Sequence, residues 1–311
     1  MVMNGVEEYK FYPPGVKRNL EYLDISMYQL LERAESKFPN NTATIFMGGK
    51  LTYRQLKEQV DRFAAALHDL GVKKGDRAAI ILPNCPQGVI SYYAVLKLGA
   101  VAVQTNPMYM ERELSHQLKD SGAETVIFLD LVWPKVSKVK GDTCLKHLIV
   151  TSIKDYLPFP LNILYPFKAK RDGQWVTIPP DRGILSFKSL LAEYAPNPLR
   201  ADIQPEEDLA LLQYTGGTTG LSKGAMLTHR NLVANVMQVS AWWPECREGK
   251  EVMLAVLPFF HVYGMTVAMN FSIYNSAAMI LVPRFEINNI LKLIHKYRPT
   301  LFPGAPTMYV A

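Results

Sequence analysis

From position 214 to 231 the chain reads Tyr-Thr-Gly-Gly-Thr-Thr-Gly-Leu-Ser-Lys-Gly-Ala-Met-Leu-Thr-His-Arg-Asn. Gly216, Gly217, Gly220 and Gly224 lack a Cβ, so the backbone there can take left-handed angles and approach a ligand closely. Successive amide N–H groups of such a loop make a concave anion site. Thr215, Thr218, Thr219 and Ser222 add hydroxyl donors, and Lys223 adds a mobile positive charge. Phosphate is the guest this donor set suits. A Walker A loop needs Gly, four residues, then Gly-Lys-Ser/Thr. Here Ser222 precedes Lys223 and Gly224 follows it, which disfavours a P-loop kinase or GTPase.

A second candidate lies at His261, just after an apolar run at 252–257 and the turn Pro258-Phe-Phe. Parallel sheets place ligands beyond the carboxyl ends of their strands, which suits a functional histidine. On the residues alone, a structural ring filling the bend accounts for it better. Tyr263, Gly264, Met265 and Met269 could wall an apolar channel, methionine being adaptable in shape; ordinary helix core is the competing reading. His229 and Arg230 close the loop signature and are expected to be structural, with Asn231 capping a helix. His68, His116, His147 and His295 read as solvated or core residues without partners.

These groups need a frame. An apolar run at 209–212 leads into the glycine loop and an apolar-periodic stretch at 232–239 leads out, which predicts strand, loop, helix. Ser26 with Gln29, and Thr52 with Gln55, have the spacing of capping boxes that start helices. Strands are expected at 78–82, 100–104, 125–129 and 147–150, with helices at 87–98 and 111–120 between them. After 205 come strands near 209–214, 252–257, 278–282 and 300–302, with helices from 231, from 262 and over 289–296. Alternation of this kind implies right-handed crossovers and parallel sheets. The fold class is therefore α/β. It divides into a first α/β subdomain at 1–152, an irregular proline-bearing linker or insert at 153–205, and a second α/β subdomain at 206–311.

Composition bounds the function. The chain has 311 residues, 49% hydrophobic and 20% charged, with net charge +6, as an ordinary globular protein of two cores would. No block of like charge reaches five residues, so a nucleic-acid role is unsupported; anionic small molecules or an anionic lipid surface suit the balance better. Cys85, Cys144 and Cys246 are too few and too scattered for a disulfide framework or metal cluster, and a reducing cytoplasm is the expectation. The first ten residues lack the apolar centre of a signal peptide. Residues 157–171 are unusual: Leu157-Pro-Phe-Pro-Leu-Asn-Ile-Leu-Tyr-Pro-Phe167 is mostly apolar and Lys168-Ala-Lys-Arg171 is basic. That segment suits a peripheral membrane contact, or packing on its own domain or on a second subunit in a homodimer.

The 214–231 segment resembles the AMP-binding signature of the adenylate-forming superfamily. Leu51-Thr-Tyr-Arg-Gln-Leu56 and the stretch from Leu96 through Gly99 to Pro107 resemble its first two core motifs. Leu257-Pro-Phe-Phe-His-Val-Tyr-Gly264 and Pro303-Gly-Ala-Pro-Thr-Met-Tyr309 resemble the segments that line its carboxylate and acyl site. The His-Val-Tyr-Gly form and the insert after Val150 look most like a long-chain fatty acyl-CoA ligase. The resemblance implies the large N-terminal domain of that fold, incomplete, with two mainly parallel sheets. It implies attack of a fatty acid carboxylate on the α-phosphate of ATP, then displacement of AMP by CoA. By the same resemblance, residues 214–225 (Tyr214, Thr215, Gly216, Gly217, Thr218, Thr219, Gly220, Leu221, Ser222, Lys223, Gly224 and Ala225) would cradle phosphates. Lys223 would be the moving counter-charge, and Thr215 the hydroxyl nearest Mg²⁺. His261, Tyr263, Gly264, Met265, Gly304, Ala305 and Pro306 would meet the acyl substrate, with His261 beside its carboxylate. The chain stops at Ala311, before the family's Tyr-Gly-x-Thr-Glu motif, ribose-binding aspartate and C-terminal catalytic lysine. Little thioester formation is expected from these residues alone. A nucleotide- or lipid-binding module without turnover, or a ligase for an aryl or other acid, stays open.

Overall fold

The computed structural model describes residues 12–179, 183–197, 201–216 and 221–310. At the start of α1 (Met27–Lys37) the Ser26 N–H donates to the Gln29 side chain at 2.8 Å. A short hairpin follows, β1 (Thr42–Phe46) and β2 (Gly49–Thr52), which apolar periodicity does not announce. The second capping box then opens α2 (Tyr53–Asp69). Gln55 N–H donates to Thr52 Oγ1 at 3.2 Å, and Thr52 N–H to Gln55 Oε1 at 2.9 Å.

The expected alternation comes next: β3 (Arg77–Ile81), α3 (Pro86–Lys97), β4 (Val101–Gln104), α4 (Glu111–Ser121) and β5 (Thr125–Leu129). A short α5 (Trp133–Val139) precedes β6 (His147–Thr151). Every residue of β4 and β5 is buried, as strands covered on both faces require. Between residues 153 and 205 the structure departs from the irregular linker expected. It holds α6 (Leu161–Arg171), β7 (Ile184–Ser186) and α7 (Phe187–Glu193). Phe187 is buried against Phe63 of α2, with ring centroids 4.4 Å apart, so α7 is pinned by core packing that periodicity over seven residues hardly reveals.

The third stretch comprises β8 (Leu209–Thr215), β9 (Lys223–Thr228), α8 (His229–Ala241) and β10 (Val252–Ala255). A helical segment follows in three parts: α9 (Val262–Gly264), a π-helical turn (Met265–Asn270) and α10 (Phe271–Tyr274). Then come β11 (Ala278–Leu281), α11 (Ile287–Tyr297) and α12 (Pro306–Val310). The strand expected at 300–302 is reduced to one parallel bridge between Leu301 and Met253.

Two mainly parallel sheets with flanking helices result. The larger runs β7-β6-β5-β3-β4-β8-β9 and the smaller β10-β11-β1-β2. Among the described residues, only β1–β2 and β8–β9 pair antiparallel. The sheets do not follow the division at 1–152, 153–205 and 206–311. β8 and β9 complete the sheet begun by β3, while β1 and β2 join β10 and β11. Periodicity marks where strands are, but partner choice is non-local. Tyr53 ties the start of α2 to α10 and the connection from it to β11, its hydroxyl donating to the carbonyls of Ser272 (3.0 Å) and Ala277 (2.8 Å). Lys97 is buried, and its charge is met by Asp61 at 2.7 Å, which also accepts from Lys57 and the Tyr28 hydroxyl. Burial pushes the Lys97 ammonium down against that pairing.

Candidate active site

The glycine loop does not lead directly into a helix. It joins two antiparallel strands, β8 and β9, and α8 begins only after β9. β8 lies parallel beside β4, so the loop leaves the sheet at the carboxyl ends of the parallel strands, where ligands bind in open α/β sheets. Gly217, Thr218, Thr219 and Gly220 lie outside the described residues. At the mouth, Thr215 pairs directly with Lys223, and Tyr214 with Gly224. Directly paired residues project on one face, so the Thr215 hydroxyl and the Lys223 ammonium share a side of the hairpin. Both residues are exposed, and Lys223 makes no ion pair among the described residues.

The Tyr214–Gly224 pair corrects the expected role of one glycine. Neither Gly216 nor Gly224 has a positive φ. A Cβ on Gly224 would come 3.0 Å from Tyr214 Cε2 and 3.1 Å from Cζ, so this position is small because the tyrosine ring lies across it. The Tyr214 hydroxyl donates to Asp120 Oδ2 at 2.6 Å. Burial and the Asp120 carboxylate both push the phenol well above its ordinary range, so it stays a donor. One turn earlier on α4, His116 Nε2 lies 2.9 Å from the Ser222 carbonyl. A carbonyl only accepts, so Nε2 carries the proton. α4 therefore grips both arms of the hairpin through residues four apart on one face. His116 was expected to stand without a partner. The signal for it was the i, i+4 pair His116 and Asp120 on a helix whose buried positions are mostly apolar or amide.

The histidine segment is fixed by two buried amides that sequence reasoning missed. Asn84, 2% exposed and just after β3, donates to the carbonyls of Ala255 (3.0 Å) and Leu257 (2.9 Å) and accepts from the Phe259 N–H at 2.9 Å. Gln213 of β8 donates to the Phe260 carbonyl at 3.0 Å. Gln213, inside the first strand of the β8–β9 hairpin, thus also holds the residue before His261. The Gln213 Oε1 is buried and has no hydrogen-bond partner among the described residues.

His261 is exposed and caps α9, its Nδ1 accepting from the Tyr263 N–H at 3.3 Å. Tyr263 is also exposed. Gly264 is buried, and a Cβ there would fall 2.4 Å from the Pro258 carbonyl oxygen and 2.7 Å from that of Leu257. Only glycine lets α9 pack onto the turn that carries His261. Met265 and Met269 are buried in the main core, in a π-helical turn where an ordinary helix was expected. π-turns interrupt helices most often near functional sites. Gly304, Ala305 and Pro306 follow Leu301, which runs parallel to β10, so this segment and the 256–261 turn leave the same sheet end. Gly304 lies against Tyr309, whose ring would meet a Cβ at 2.9 Å.

The N-terminus of α8 also differs from expectation. Thr228 is the N-cap and Asn231 sits three residues on, closing a capping box at 3.2 and 3.0 Å. His229 is structural: it is fully buried, and its Nδ1 accepts from the Met27 N–H at 3.2 Å.

This arrangement puts a hydroxyl, Thr215, and a cation, Lys223, on one face of a hairpin beside a second segment presenting His261, a donor set suited to an anion. For Mg²⁺ the donor set is thin. No group of three or more His, Cys, Asp or Glu could hold a metal among the described residues, and Thr215 supplies one hydroxyl.

The chain belongs to the family of AMP-binding enzymes, whose model matches residues 31–311. It is 46% identical over 302 residues to a long-chain-fatty-acid–CoA ligase of Bacillus subtilis, covering 96% of this chain and 53% of that one. An Escherichia coli O157:H7 protein of the same name is 36% identical over 291 residues, covering 92% and 52%. Among solved structures, a long-chain-fatty-acid-CoA ligase from Archaeoglobus fulgidus aligns with a TM-score of 0.79 at 24% identity, over 96% of this chain and 55% of the other. That likeness establishes the fold. The chain spans about half the length of the curated relatives it matches.

Proposed function

We propose that this chain is the ATP- and acyl-binding part of an acid–thiol ligase that activates a long-chain fatty acid as its adenylate and passes it to CoA. The observation that carries the reading is the tether from Gln213 to Phe260, which fixes the phosphate hairpin and the His261 segment to one another. Adenylation brings a carboxylate against a phosphate, negative against negative. Catalysis is then mainly positioning plus charge neutralisation. Lys223 supplies the neutralising charge, Thr215 and the loop amides donate to phosphate oxygens, and α4 keeps the hairpin aimed through His116 and Asp120. His261 needs no proton transfer, since the attacking carboxylate is already ionised; its ring, held by the cap to Tyr263, borders the place the carboxylate takes. Mg²⁺ bound with ATP would offset further phosphate charge, with Thr215 the residue nearest it. Relatives bearing the name long-chain-fatty-acid–CoA ligase support the fatty acid as substrate.

ATP–pyrophosphate exchange driven by palmitate tests this, run on residues 1–311 and on the same chain extended to the full length of its relatives. Exchange in the longer chain that disappears with Lys223→Ala is the expected result. Exchange driven by coumarate but not palmitate in the longer chain would reassign the substrate to aryl acids, and no exchange with either would remove the ligase reading.

A further inference from the structure

The outward face of α6 is built the wrong way round for a helix of a water-soluble domain. Phe159, Ile163 and Phe167 are 80%, 58% and 72% exposed, and Leu161 and Leu164 are exposed beside them. The side turned inward carries Ala169, buried, and the half-buried Tyr165 and Pro166. Residues three and four apart share a helix face. Ile163, Phe167 and Arg171 therefore form one exposed ridge, and Leu164 and Lys168 another. The first two turns present apolar side chains and the last turn presents cations, all outward.

The charge around this face is mainly positive. Lys154 and Lys170 lie over the Trp175 ring at 5.5 and 5.2 Å, placing an amphipathic indole among the cations. Four cations, Lys154, Lys168, Lys170 and Arg171, stand against Asp155 and Asp172. Asp155 is turned away, accepting from the Ser152 N–H at 2.9 Å and the Thr151 hydroxyl at 3.2 Å. Asp172 pairs with Arg171.

We infer that the α6 face docks on an anionic lipid surface, the apolar turns entering the acyl–headgroup boundary while Lys168, Lys170 and Arg171 meet lipid phosphates. This division of apolar and basic groups is what interfacial helices use. A second copy of the chain matches the face less well. Two copies of α6 packed parallel bring like charges together, and packed antiparallel they set the cations of each against the apolar turns of the other. At 11 residues, with Pro166 inside, α6 rests on the bilayer and does not cross it. No helix among the described residues is long and apolar enough to span.

Cosedimentation of the 1–311 chain with vesicles tests the inference, using phosphatidylcholine alone and an equal mixture with phosphatidylglycerol. The chain should pellet with the anionic vesicles and be released by salt. Ile163→Asp with Phe167→Asp should weaken binding by about tenfold or more, and Lys168→Glu with Arg171→Glu should abolish the preference for anionic lipid. All four side chains are exposed, so melting temperature should not move. Vesicle binding unchanged by Ile163→Asp with Phe167→Asp overturns the inference, as does failure of the parent chain to bind either vesicle. A dimer in sedimentation velocity that these same substitutions dissolve assigns the face to a second copy and also overturns it. The readout is binding, so the outcome is independent of adenylation.

Discussion

His229 should make the fold acid-sensitive in a window that its burial defines. Its ring is fully buried at the first position of α8, and Nδ1 accepts from the Met27 N–H at the start of α1. Burial pushes its pKa down from 6.5 to about 4, outweighing the favourable Asp208 carboxylate; the Lys74 ammonium lowers it further. Lys74 and Asp208 pair at 2.6 Å, and although burial raises the Asp208 carboxyl, Lys74 and the Gln204 N–H hold it low, so that pair persists through the window. Protonation would also turn Nδ1 into a donor facing the Met27 donor, while Nε2 already lies buried without a hydrogen-bond partner among the described residues. Between 6.5 and about 4 the unfolded chain binds a proton that the folded chain refuses, so stability falls as pH falls. At 1.36 kcal/mol per pKa unit, the full effect is about 3 kcal/mol, and roughly 2 kcal/mol of it should appear between about pH 7 and pH 4.5. His229→Asn keeps an acceptor for Met27 and removes the titration. Urea unfolding at both pH values should show the parent chain losing roughly 2 kcal/mol more than the variant. Parallel losses in the two proteins would refute the assignment of a neutral, buried His229.

Two further expectations concern the frame of the site. Gly264→Ala must push a methyl into the Pro258 and Leu257 carbonyls, and a shift of backbone there should cost about 1–3 kcal/mol in urea unfolding. Wild-type stability in this variant would show that α9 packs more loosely than described. Tyr214→Phe deletes the donor to Asp120 while keeping the ring over Gly224, leaving an exposed carboxylate that water can satisfy. It should cost about 0.5–1.5 kcal/mol in urea unfolding and weaken ATP binding in the same protein, and adding Asp120→Asn should change stability little further.

What could be read from the chain follows from what local pattern encodes. Apolar runs located β3, β4, β5 and β6 to within a residue or two, and Ser26, Gln29, Thr52 and Gln55 announced two helix starts because capping is a four-residue event. The loop signature pointed to phosphate because glycines, hydroxyls and a lysine are informative wherever they fold. Pairing was not legible. β8 and β9 form a hairpin because Leu209 to Thr215 find both β4 and a returning strand, and Lys223 to Thr228 read as loop for want of an apolar period. Nor were Asn84, Gln213, His116 and Asp120, whose roles depend on partners 47 to 175 residues away. The same limit hid β7 and α7, which are held by Ile149, Phe63 and their neighbours.

The central claim is that the β8–β9 hairpin binds the phosphates of ATP through Lys223. Lys223 is exposed and unpaired among the described residues, so its removal should leave stability within about 0.5 kcal/mol of the parent. Titration calorimetry of ATP into the 1–311 chain and its Lys223→Ala variant measures the claim directly. The account predicts that the parent binds ATP and that the variant, equally stable, binds it at least about tenfold more weakly, as loss of a charge-assisted phosphate contact requires. Equal affinity in the two proteins would contradict it.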